Sequence, residues 1–346
     1  MPQRPAFVIL SAVSLACAAV SLLACAAASQ AARPSAASRA RANTNQSAIH
    51  INQSAIHIPQ DAIIHVAVLD FGPTEAGARA TERLAKRLAA ASVKGETNAS
   101  GNVETRLSLL DRDLARAAAR GTGYRGSLNL TLAEARALGS AIGCDFYLTG
   151  DAQTIRRSSS ARPVYFESYA TVFIVSTRTG RLVLWDRAVA DADKSEQAEA
   201  SLLEALDKRA ARYAEAIGEA FAREERERFG PPAEEVEGLI DLSTDEAAGA
   251  HADLREPAPY RRLRPAYTDE ASRAEAEATV DALVEVGADG EVGSVEIVRW
   301  AGFGLDDAVV STVRQMHFRP AARDGQPVAV RVLLRYNFRR PPPAPK

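Results

Sequence analysis

The sequence predicts an α+β protein with an N-terminal signal or anchor, a mixed α/β middle domain and a small ββαβ C-terminal domain. Three observations predict it. Strand-length apolar runs alternate with helix-period segments from residue 62 to 230. Two short strands, one helix and a final strand of strict two-residue alternation follow between Ala278 and Phe338. Ahead of both, Ala6 to Ser29 is an uncharged Ala/Leu/Val-rich run preceded by Arg4.

Taken in order, residues 1–29 read as a signal peptide or membrane anchor, long enough at about 20 residues to span a bilayer if left uncleaved. Leu22-Leu23-Ala24-Cys25 resembles a lipoprotein processing box, which makes Cys25 a lipidation candidate. Ala26 to Ala28 offers ordinary small-residue cleavage instead. Residues 30–61 form a polar tether with an identical tandem copy, Asn45–Ile51 and Asn52–Ile58. Its His50 and His57 have no nearby Cys or carboxylate and make a weak metal site, so they read as a local duplication in a flexible segment.

In the middle domain, 62–230, Ile63 to Phe71 reads as a buried strand and Thr81 to Ala91 as a helix with Leu84 and Leu88 on one stripe. Leu107 to Leu110 is a second apolar piece leading to an Ala-rich helix, and Leu132 to Ile142 is a helix ended by Gly143. Cys144 to Gly150 reads as a strand, Tyr165–Ser176 and Arg181–Val189 as a hairpin, and Leu202 to Phe221 as a long amphipathic helix stopped by Gly230-Pro231-Pro232. Residues 231–259, acidic and Pro-flanked, read as a linker, and 341–346 as a Pro-rich tail.

In the C-terminal domain, 260–340, Val280, Ala282, Val284 and Val286 share one strand face while Asp281 and Glu285 take the other. Ala288 to Glu291 turns the chain into a second strand, Val292 to Arg299. Leu305, Val309, Val313 and Met316 recur at helical spacing, with Asp306 and Asp307 in the first turn, until Pro320 forces a stop. After the Asp324-Gly325 turn, Val328 to Phe338 alternates throughout.

Arg264-Pro265-Ala266-Tyr267, Val286 to Val292, Gly302 to Ala308, and Gln315 to Ala321 with Asp324 to Val328 resemble, in order, the TonB C-terminal domain. Thr268 stands where that family usually has proline, and Ala278 where a glycine usually opens the first strand. The resemblance implies a periplasmic ββαβ unit of a double-membraned bacterium, without catalytic groups, that pairs with an extended segment of an outer-membrane TonB-dependent receptor or another envelope protein. The partner-binding strand it points to comprises Val328, Val330, Arg331, Val332, Leu334, Arg335 and Tyr336, since an exposed strand edge offers N–H and C=O groups to an extended partner. The family's energy transducers also meet an inner-membrane proton-driven motor through a histidine in the membrane span. Here the run from Ala6 to Ala28 has none. The reading is therefore a membrane-anchored periplasmic protein that passes energy to a transporter, or a binding or assembly lipoprotein without energy coupling. The middle domain is similar to the periplasmic α/β domain of TolB and of CsgG-type lipoproteins through Val66 to Phe71, Leu109 to Arg112 and Gly143 to Gly150, which implies protein binding.

With 42 Lys+Arg against 44 Asp+Glu, the chain has no basic footprint for nucleic acid. Its cysteines are Cys17, Cys25 and Cys144, which exclude a disulfide framework and a thiolate metal cluster. Gly121 to Gly126 spells GxGxxG but follows a helical stretch and not a strand, so it reads as a loop. Asp70, Asp111, Asp145 and Asp151 lie near strand ends, where carboxylates can serve catalysis, turns or caps. No glycine-rich phosphate loop or nucleophile joins them, and His317 has no Ser or Cys partner, so the expectation is a protein without enzymatic activity or cofactor.

Overall fold

The computed structural model describes residues 63–94, 104–230, 238–244, 246, 249, 251 and 253–340. Cys17, Cys25, His50, His57 and the Pro-rich tail lie outside them. The fold is α+β.

The first body comprises β1 (Ile63–Val68), α1 (Glu75–Ala89), β2 (Ser92–Lys94), β3 (Glu104–Leu109), α2 (Arg112–Gly121), α3 (Leu132–Ile142), β4 (Phe146–Arg157), β5 (Tyr165–Ser176), β6 (Leu182–Ala192) and α4 (Ser195–Phe229). Its sheet runs β2-β3-β1-β4-β5-β6, with β1 parallel to β3 and β4, and β4, β5 and β6 antiparallel. Alternation along β1 sends Ile64, Val66 and Val68 into the core shared with α1 and α4, and Ala67 and Leu69 into the core shared with α2 and α3. The helices therefore cover opposite faces.

Local chemistry sets the helix ends. Thr74 accepts from the Gly77 N–H, which starts α1 six residues before the expected Thr81. Gly77 fits beneath this first turn because a Cβ there would lie 2.1 Å from the Phe71 carbonyl oxygen. Asp111 caps α2, and Thr131 with Glu134 forms a capping box on α3. The strand expected to end at Gly150 runs on to Arg157, because β5 pairs with it over its whole length.

The C-terminal body comprises β7 (Ile240–Asp241), β8 (Leu254–Arg255), β9 (Ala258–Pro259), α5 (Asp269–Ala274), β10 (Ala278–Val286), β11 (Val292–Arg299), α6 (Leu305–Val313), β12 (Phe318–Arg319), β13 (Ala321–Arg323), β14 (Gln326–Val328) and β15 (Val330–Phe338). Its main sheet runs β11-β10-β15-β7. Val280, Ala282, Val284, Val286, Leu305, Val309, Val313 and Val330 are fully buried in its core. Met316 is buried there too, just past the end of α6.

Three expectations change. The single strand 328–338 is two, since Val328 belongs to β14 and pairs with Ala321 across the Asp324-Gly325 turn. Parts of 231–259, expected as linker, add strands to this body: β7 pairs with β15, β8 with β13, and β9 with β12. Asp281, expected on the outer strand face, is only 3% exposed, because Arg299 and Arg335 close over it.

The two bodies meet through the segment after β11. The Trp300 ring stacks on Phe173 at 5.7 Å between centroids and its indole N–H donates to the Gly180 carbonyl at 3.1 Å. Gly302, at φ +73°, passes so close that a Cβ would lie 2.6 Å from the Phe173 ring, and Phe303 packs edge-on against the same ring. Asn129 completes the contact: its amide donates to the Thr279 and Trp300 carbonyls at 2.8 and 2.6 Å and accepts from the Thr279 N–H at 3.0 Å.

Candidate functional site

β15 is the strand the sequence singles out, and pairing decides which of its groups are available. On one side it pairs with β10 without a register shift from Val330 to Phe338. On the other, β7 covers only its start: the Ile240 and Leu242 N–H groups donate to the Ala329 and Arg331 carbonyls at 3.1 and 2.7 Å. Alternation then directs the N–H and C=O groups of Leu333, Arg335 and Asn337 to the same outer side, beyond the end of β7.

A groove of about 500 Å³ follows this stretch. Val332, Leu334 and Tyr336 line one side, Leu242 and Thr244 extend from β7, and Pro257, Arg262 and Leu263 form the opposite bank. The Tyr336 hydroxyl reaches the Met316 sulfur at 3.6 Å, and burial pushes its pKa up. Arg335 reaches back across the sheet to Asp281 at 2.7 Å, and Arg331 to Glu285 at 2.6 Å. Burial alone would raise the Asp281 carboxyl, but the Arg335 and Arg299 guanidinium groups outweigh it and hold it below its ordinary value.

The structure thus separates the seven residues of the expected partner-binding strand. Val328 is held in β14, Val330 and Arg331 carry β7, and Val332, Leu334, Arg335 and Tyr336 border the groove. Leu242, Thr244 and Pro257 of the groove escaped sequence reasoning because they belong to the segment read as linker. The apolar Leu239-Ile240-Asp241-Leu242 inside that acidic stretch was the available signal.

The remaining candidates have local partners. Asp70 receives Arg116 at 2.6 and 2.7 Å, Asp111 is the α2 cap, and Asp145 accepts from the His65 backbone N–H at 2.7 Å. Asp151 accepts from the Tyr169 hydroxyl and the Gln153 amide. His317 is exposed, with its Nδ1 2.9 Å from Glu291. Cys144 is buried, which pushes its thiol up to about 11 and makes it inert. Gly121 to Gly126 closes α2 and enters the loop before α3. Among the described residues, no three or more His, Cys, Asp and Glu side chains are grouped to hold a metal ion, and no helix is long and apolar enough to cross a membrane.

The C-terminal body is a small sheet-and-helix domain whose last strand leaves part of one edge open. Residues 264–339 match the family described as Gram-negative bacterial TonB protein C-terminal, and this body is a domain of that family. The chain is similar to the solution structure of the Pseudomonas aeruginosa TonB C-terminal domain, at 20% identity over 29% of this chain and 91% of that one, with a TM-score of 0.22. It is also similar to a hypothetical protein of Chlamydia trachomatis, at 11% identity over 45% of this chain and 98% of that one, TM-score 0.28. A third similar structure is the PelC dodecamer of Paraburkholderia phytofirmans, at 13% identity over 46% and 87%, TM-score 0.23. No curated protein matches the chain. Thr268, which departs from the usual family proline, caps α5 and donates its hydroxyl to the Phe303 carbonyl.

Proposed function

We propose that the protein is an envelope protein, held in the periplasm by its N-terminal segment or by a lipid on Cys25. In this reading its C-terminal domain binds an extended segment of an outer-membrane transporter. The incoming strand adds to β15 beyond Arg331, bonding to the outward groups of Leu333, Arg335 and Asn337, while its side chains enter the groove beside Val332, Leu334 and Tyr336. The observation that carries this is the short reach of β7, which leaves the rest of the β15 edge facing a groove. The domain's family membership supports the choice of partner.

Energy coupling through an inner-membrane motor is one use of such a contact. Assembly or scaffolding without coupling is the other, and the docking of Trp300 on the first body favours it, because a domain fixed on a folded neighbour differs from one carried on an extended tether. Leu333→Pro tests the edge. It removes an outward N–H while leaving the β10 ladder its donors. The expected result is loss of receptor-peptide binding by a chain whose circular dichroism is unchanged. A folded Leu333→Pro variant that binds with undiminished affinity contradicts the assignment.

A further inference from the structure

In the first body, β1 and β3 lie side by side and parallel, but the chain leaves β1 for α1 on one face of the sheet and leaves β3 for α2 on the other. Where adjacent parallel strands part in this way, a crevice opens outside their carboxyl ends, and ligands of α/β proteins bind there. A cavity of about 580 Å³ lies beside this parting, bounded by Leu69 and Asp70 after β1, by Gly150 and Asp151 of the neighbouring β4, and by α2 with the loop that follows it. Leu69, Ala119 and Leu128 give it an apolar wall, and the Gly150 backbone lies at its floor.

The charges divide across the crevice. Asp70 is neutralised by the two-pronged Arg116 contact, and the Asp151 oxygens accept from Tyr169 and Gln153. Arg120 and Arg125 line the rim, and among the described residues neither guanidinium has a hydrogen-bond or carboxylate partner. Arg125 is held there by the GxGxxG loop, in which Gly123 and Gly126 take φ +82° and +90° and the half-buried Tyr124 has its hydroxyl 2.8 Å from that of Thr149.

We propose that this crevice binds a small organic anion, with a carboxylate or phosphate at Arg120 and Arg125 and an apolar body against Leu69, Ala119 and Leu128. A cavity of this size suits a small-molecule ligand. Unpaired guanidinium forks match either oxyanion. The site is separate from the β15 edge and does not depend on its function.

Phenyl phosphate, benzoate and the neutral benzyl alcohol, titrated calorimetrically into the purified protein, test the assignment. At least one anion is expected to bind saturably, more weakly as salt is raised. Arg120→Gln with Arg125→Gln is expected to weaken that binding about ten-fold or more, with the melting temperature unchanged because both side chains are exposed. Tighter binding of phenyl phosphate indicates a phosphate ester, and tighter binding of benzoate a carboxylate. Benzyl alcohol binding as tightly as the anions, salt-independent affinity, no saturable anion binding, or unchanged affinity in the double variant each overturns the proposal.

Discussion

Trp300 is 2% exposed and spends both its ring and its indole N–H on the first body. Trp300→Ala leaves a cavity against Phe173 and an unpaired Gly180 carbonyl, and is expected to destabilise the chain by about 3–5 kcal/mol in denaturant unfolding. Beside it, Asp306 accepts from the Ala301 and Gly302 N–H groups at 2.9 and 2.8 Å and so holds the turn that presents Phe303. Burial raises its carboxyl to about 6 from an ordinary 3.8, against the lowering effect of those two donors. A raised folded pKa contributes stability that is complete below the unfolded value and is lost as pH rises through the folded one. Stability should therefore fall between about pH 4 and pH 6 from this group, and Asp306→Asn should remove that slope in melts run across the window. Asp207 has the opposite sign. Hydrogen bonds from Arg83 and Arg87 hold it far below its ordinary 3.8, so its contribution is present above that value and is lost on further acidification.

At the scale of elements, β7 and β15 make the informative pair. Shortening β7 by Leu242→Pro removes the N–H that donates to the Arg331 carbonyl, which should lengthen the open edge and strengthen receptor-peptide binding, as titration would measure. Weaker binding would mean that β7 helps shape the site. β10 and β15 could be read from the sequence because alternation over nine residues leaves a period, and β1 because it begins a short, mostly apolar run. β7, β8 and β9 could not, since strands of two residues carry no period and their pairing is decided by distant neighbours. The start of α1 was hidden for another reason. Its first turn, Glu75 to Ala78, has no large apolar residue, and Thr74 with Gly77 places it. The alternation of Val332, Leu334 and Tyr336, which line one side of the groove, was visible in the sequence, whereas the opposite bank of Pro257, Arg262 and Leu263 required the fold.

Across the whole molecule, the hydrogen bonds between the bodies join residues 115 to 171 positions apart, which no local pattern announces. The shared burial of Trp300 couples the bodies, so thermal unfolding should show one transition that splits into two in Trp300→Ala. Limited proteolysis is expected to cut first at or before residue 238 and to leave a C-terminal fragment that retains β7, because β7, β8 and β9 are paired into that body. A first cut inside α6 would contradict this organisation. The central claim is that the β15 edge past Arg331 receives an extended partner strand. Amide hydrogen exchange by NMR, with and without a receptor peptide, tests it most directly. The account predicts that the Leu333, Arg335 and Asn337 amides become protected when peptide is added, while Val332, Leu334 and Tyr336, already bonded to β10, change little. Peptide binding that leaves the amides of Leu333, Arg335 and Asn337 exchanging as fast as before would contradict it.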